Sequence, residues 1–318
     1  MPEKNVMGRV QVALKSLVAT LGIGFILFFY SETMFWGRPD RAPISELIVT
    51  WLVYSLLAYL FLAALATFRV RRWAALFLAG ALYGWLGEGV LVQTMYDMFP
   101  INLSWTGLAW HSVISVCAGW YGLSVALQRG TLYAALTAAG LGLFWGLWAV
   151  MWWQPGEGGH VTPLVDFTRH VFTQGALLTF AYAAYPRFLS PGAFSSRWGR
   201  GIVIILAVLW FAFVAVPHTI LALFVAPPLF ALTLYALRRL GKASEEPSVL
   251  MTLRPVPLAR YAAIFAMPLC ATTVYALFLS TGRLYPTNQW FYYMLVPLGF
   301  TAYMVSLWLA YGPSRSVP

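Results

Sequence analysis

Ten stretches of predominantly apolar residues follow one another along the chain, all but a short seventh near the twenty or so that a helix needs to cross the hydrocarbon core of a bilayer. In lipid, backbone amides and carbonyls have to be satisfied within their own segment, so such stretches fold as transmembrane helices. The pattern predicts spans at Ser16–Trp36, Glu46–Phe68, Trp73–Gln93, Trp105–Leu127 and Thr131–Trp153 in the first half. In the second half it predicts Thr168–Tyr185, Gly201–Val216, Thr219–Leu237, Tyr261–Ser280 and Gln289–Tyr311. The Pro217-His218 turn alone separates the seventh from the eighth, and Pro227-Pro228 is expected to kink the eighth. Ser45 and Glu46 read as the N-cap and first turn of the second span.

The expected fold is therefore all-α: a polytopic helical bundle of about ten spans forming a single membrane-embedded domain over residues 1–318. Composition excludes an ordinary soluble core, since 61% of the residues are hydrophobic and 9% charged, against about 25% charged in soluble domains. The segment 238–260, with Glu245, Glu246 and three prolines, reads as an exposed cytoplasmic loop. The first apolar stretch lacks a small-residue cleavage pattern, so no removable signal peptide is expected.

A formal net charge of +10 could point to nucleic acid, but the basic residues sit in short connections between spans. With the N-terminus inside, sixteen of the twenty Lys and Arg residues fall on the cytoplasmic side, a strong positive-inside bias. Only Arg38, Arg41, Arg169 and Arg283 fall outside. The reading is N-in and C-in, in a plasma membrane of bacterial or archaeal type, with the lipid bilayer as partner and no nucleic acid. Trp36, Trp105, Trp152 and Trp153 lie near span ends, where aromatic belts form. Cys117 and Cys270 fall inside apolar spans and read as small buried hydrophobes.

On this orientation all four histidines, His111, His160, His170 and His218, lie on the outer side with seven of the ten acids. Three ionisable groups sink into the spans. Glu88 precedes the outer end of its span by about five residues and His111 follows the start of the next by about six, so both sit roughly 7–9 Å deep. Glu32 lies at roughly 6 Å on the same scale. Ionisable groups at such depth face a bundle interior or cavity and commonly mark function. Gly80, Gly84 and Glu88 recur every four residues, as do His111, Ser115 and Gly119, followed by Gly122. Both stripes predict close packing against other helices.

Beyond the fifth span, the glycine-rich stretch that holds Glu157 and His160 can fold back over the bundle. Asp166 and His170, four residues apart, share one helix face, so Asp166 can orient the imidazole. Asp40, Asp97 and His218 read as turn or loop residues.

Histidine and carboxylate together carry general acid–base chemistry or hold a divalent, zinc-like metal. The expectation is a membrane hydrolase or transferase with an outward-facing site, acting on a lipid or lipid-linked substrate. Its catalytic residues would be Glu88, His111, Glu32, His170 and Asp166, with Arg169, His160 and Glu157 touching substrate. His111, Glu88 and His170 would be the ligands of a metal. The chain carries no HExxH, GxSxG or P-loop. Two other readings use the same residues: a proton- or cation-coupled transporter, and a subunit holding haem or pigment on histidines.

Overall fold

The computed structural model describes residues 2–36, 42–154, 158–189, 194, 197–242, 247–283 and 285–312. Ten long helices run through them. We label them α1 (Gln11–Trp36), α2 (Ile44–Thr67), α3 (Trp73–Leu91), α4 (103–129), α5 (Thr131–Ala149), α6 (Leu164–Phe188), α7 (Trp198–His218), α8 (Leu221–Lys242), α9 (Leu258–Ser280) and α10 (Thr287–Tyr311). All but α4 and α6 are both long and apolar enough to cross a membrane. The other two have the length, but their apolar character is diluted by His111, Ser112, Ser115 and Ser124 in α4 and by Asp166, Arg169, His170 and Gln174 in α6. A bundle spends its polar residues on helices that other helices shield from lipid. The fold is that of a helical, multi-pass membrane protein.

Helix ends follow from local chemistry. α2 begins at Ile44, and the Pro43 carbonyl accepts from the Glu46 and Leu47 amides. Ser45 is thus inside the first turn, because proline already sets the helical φ just before it. α4 passes into α5 at Gly130, where φ is +152°. Gly282 (φ +65°) closes α9 with its amide on the Leu279 carbonyl, a left-handed glycine cap.

Three expectations are corrected. α5 stops at Ala149, and Trp152–Gln154 (β1) instead pairs antiparallel with Gly158–His160 (β2), because the glycines let the backbone fold back onto itself. The break between α7 and α8 falls at Thr219, whose extended backbone follows a still-helical Val216–His218. The segment after the described end of α8 is not simply exposed: Val249–Thr252 is helical, Val249 and Leu250 are buried, and the Val249 amide bonds the Val70 carbonyl. Apolar side chains recruit that stretch onto the protein despite its flanking prolines. α8 itself runs through Pro227 and Pro228.

The chain forms two compact units. The first comprises Met1–Ala58, Ala118–Ser190 and Leu253–Met294. In it, α5 packs on α9 where Gly142 and Gly146 leave room for the Met267 and Ala271 carbonyls, and α1 lies along α6 with Gly22 against Tyr185. The second comprises Tyr59–Cys117, Pro191–Thr252 and Leu295–Pro318. Here α3 packs on α8 and on the first half of α4, and Ser104 donates to the Val296 carbonyl at 2.6 Å. Cys117 and Cys270 are free.

Candidate functional site

In the second unit the small-residue stripe of α3 meets α4 as its spacing predicts. A Cβ on Gly80 would stand 2.6 Å from Ser112 Oγ, and one on Gly84 would run into the Gly107 carbonyl. Ser112 in turn donates to the Phe77 carbonyl at 2.6 Å. This approach brings Glu88 and His111 together, with Nε2 2.8 Å from Oε1. Both are nearly withdrawn from solvent, Glu88 at 9% and His111 at 3% exposure.

Neither residue sits in ordinary α-helix. Glu88 belongs to a π-helical turn, Leu86–Leu91, closed by the Val92 amide on the Gly87 carbonyl at 3.0 Å. His111 belongs to a long π-helical run, Leu103–Leu123. Such i→i+5 turns are rare and frequent at functional sites. They have a local consequence here: residues five apart align, so Thr106 and His111 both reach Glu88. His111, Ser115 and Gly119 are each buried, whereas Gly122 is half-buried and Leu123 is buried in its place.

The connection from α3 to α4 folds back over the carboxylate. Gln93 adopts a left-handed backbone (φ +61°) that stops α3, and its amide group donates to the Val90 and Leu91 carbonyls at 2.8 and 2.7 Å. The next residue, Thr94, donates to Glu88 Oε2. Asn102 Nδ2 holds the Thr94 carbonyl at 2.8 Å, while Asn102 Oδ1 is buried without a partner. The Tyr96 hydroxyl donates to the Gly89 carbonyl at 3.1 Å, and burial pushes this phenol up to about 12. On the opposite side the Tyr83 ring stands edge-on to His111, centroids 5.3 Å apart.

The first unit holds the remaining candidates. Glu32 also lies in a π-helical turn, Phe29–Thr33, and accepts from Trp36 Nε1 at 2.9 Å and from the Tyr54 hydroxyl at 2.8 Å. His170 bonds the Thr33 backbone through one nitrogen and packs on Trp145, but its Nε2 is buried without a partner. So are Gln174 Oε1, one turn along α6, and Trp145 Nε1. Asp166 meets Arg169 at 3.7 Å, with side chains 47% and 74% exposed. This aspartate thus pairs with arginine and not with His170, and an exposed i,i+3 pair of this kind contributes little. His160 pairs its backbone with Trp152, and Glu157 lies outside the described residues.

No group of three or more His, Cys, Asp or Glu side chains among the described residues is placed to hold a metal ion. A catalytic zinc takes three protein ligands, and Glu88 and His111 supply two that are already bonded to each other. This donor set does not fit the expected metal. What the pair can do unaided is hold and pass a proton.

Thr94, Asn102 and Thr106 are the residues that the sequence reading misses. Their signal was a spacing of five, from Thr106 to His111, which an α-helical reading places on different faces. The chain matches no family model, no curated protein and no solved structure.

Proposed function

We propose that this protein is a multi-pass membrane enzyme in which Glu88 and His111 perform acid–base catalysis on a lipid or lipid-linked substrate, by hydrolysis or group transfer. The observation that carries this reading is the 2.8 Å carboxylate–imidazole bond sunk among transmembrane helices and set in two π-helical segments. Intramembrane ionisable residues usually serve function, and π-turns concentrate at working sites.

The roles follow from the bonding. With His111 Nε2 bonded to Glu88 Oε1, the imidazole is the base of the pair and takes the proton of a hydroxyl or water. Glu88, held by Thr94 and neighboured by Thr106, fixes the tautomer and steadies the imidazolium that forms. The proton then passes from the imidazolium to the leaving group. The positive-inside charge distribution supports an outward-facing site, with both termini in the cytoplasm.

The test uses the purified full-length protein in vesicles of phosphatidylethanolamine and phosphatidylglycerol, with released headgroups and new lipid species followed by mass spectrometry. Glu88→Gln and His111→Gln should each lower turnover by about 10²–10⁴-fold, the range for loss of general acid–base catalysis. Full activity in a Glu88→Ala/His111→Ala double variant overturns the proposal. Proton or cation flux that Glu88→Gln abolishes, with the lipids unchanged, points instead to a transporter.

A further inference from the structure

Unit two also contains a cavity of about 450 Å³ between α2, α3, α7 and α8, a volume usual for a ligand site. Its wall is apolar: among the lining residues only Thr67, Tyr83 and Arg200 carry a polar group, and Arg200 carries the one charge. We propose that this cavity holds one hydrocarbon chain of an anionic, phosphate-bearing membrane lipid, with the phosphate on Arg200 at one end.

Length and charge each favour that occupant. Along α7 the lining runs from Arg200 to Phe211, and along α3 from Ala79 to Val90. At 1.5 Å per residue each is about 16 Å. Half of a bilayer's ~30 Å hydrocarbon core is about as long, so the cavity matches one chain of one leaflet.

The charge lies at one end only. Arg200 donates to Thr67, the last residue of α2, which fixes the guanidinium where α2 stops and α7 starts. A lipid phosphate at this end of the cavity meets the Arg200 guanidinium, and arginine binds phosphate through paired donors.

The far end of the chain would abut Tyr83, Leu86 and Val90, and Tyr83 is the residue whose ring stands against His111. The headgroup therefore sits at the end away from the Glu88–His111 pair. This lipid is a resident wall of the unit and not the substrate of that pair, so its binding does not depend on catalysis.

Native mass spectrometry of the full-length protein, released from detergent with added dioleoyl phosphatidylglycerol, tests this directly. One phosphatidylglycerol should be retained at a concentration at which dioleoylglycerol, which lacks the phosphate, is not. Glycerol 3-phosphate, which lacks the chain, should fail to displace it. Arg200→Gln should weaken retention tenfold or more, Ala207→Trp should block it by filling the cavity, and Glu88→Gln should leave it unchanged. Equal retention of phosphatidylglycerol and dioleoylglycerol, or parent-like binding in Arg200→Gln, means annular lipid only and overturns the proposal. Displacement by glycerol 3-phosphate overturns it too, since the site would then be one for soluble phosphate. Loss of turnover in Glu88→Gln with retention unchanged leaves both proposals standing. Retention by a protein that never turns over lipid sinks the enzyme reading alone.

Discussion

His111 and His170 both lie several residues inside a long helix, the first buried and the second half-buried, and their polar atoms are provided for differently. His111 has a carboxylate on Nε2, and that carboxylate has Thr94 on its other oxygen. His170 spends one nitrogen on the Thr33 backbone and leaves Nε2 without a partner, with Gln174 Oε1 and Trp145 Nε1 in the same condition. A satisfied buried pair is mutually dependent, so removing either member strands the other. An imidazole with one unmet nitrogen costs the fold something to keep, so losing it should cost little. Burial alone does not show how much a fold depends on a histidine; its bonding does.

The sharpest way to break this contrast is to remove one member of each set. His111→Leu should destabilise the protein by about 3–5 kcal/mol, because it leaves the Glu88 carboxylate buried and uncompensated. His170→Leu should change stability by no more than about 1 kcal/mol, since it deletes an unsatisfied group along with its one bond. Thermal unfolding of both variants in the same detergent checks this, and equal losses would dissolve the distinction. Pairing His111→Leu with Glu88→Leu should recover much of the loss.

The next effect concerns packing around the satisfied pair. Gly84→Val forces side-chain atoms into the Gly107 carbonyl, and overpacking of this kind costs about 1–3 kcal/mol. It should also part Glu88 from His111, so activity should fall further than stability does. A Gly84→Val protein with parent-like turnover would show that the close approach of α3 and α4 does not set the pair. A smaller effect is expected at Thr94. Thr94→Val removes one hydrogen bond to a charged acceptor, about 1.5–3 kcal/mol, and measured turnover should fall while lipid retention holds. The smallest change belongs to Asp166→Asn, which should stay within about 0.5 kcal/mol in thermal unfolding because its exposed pair with Arg169 is screened by water.

Much of the frame was legible in the sequence. Ten long helices stand close to their predicted positions because lipid leaves an apolar segment few other ways to satisfy its backbone. Pairing of Glu88 with His111 was legible too, since depth from each end of a hairpin is simple arithmetic at a fixed rise. The glycine stripe worked for the same reason: Gly80 and Gly84 lie in regular α-helix, where a period of four keeps one face. Reading failed where that period changes. Inside Leu103–Leu123 the turn is wider, so Gly122 misses the stripe and Thr106 joins it unannounced. It failed again at Asp166, where shared helix face suggested a partnership with His170 and the side chain pairs with Arg169. It also stopped short at Val249 and Leu250, because hydropathy over a long window averages a brief apolar stretch away.

The π-helical run of α4 has a meaning for how such a chain can change over time. A single-residue insertion into an α-helix either rotates everything beyond it by about 100° or is absorbed locally as a wider turn that keeps the phase. The direction in which His111 points is therefore a matter of phase, set by residue count as much as by residue identity. Deleting one residue between Leu103 and His111 would leave composition and hydropathy almost untouched and swing the imidazole away from Glu88. Substitution series hold that count constant and would never reveal it.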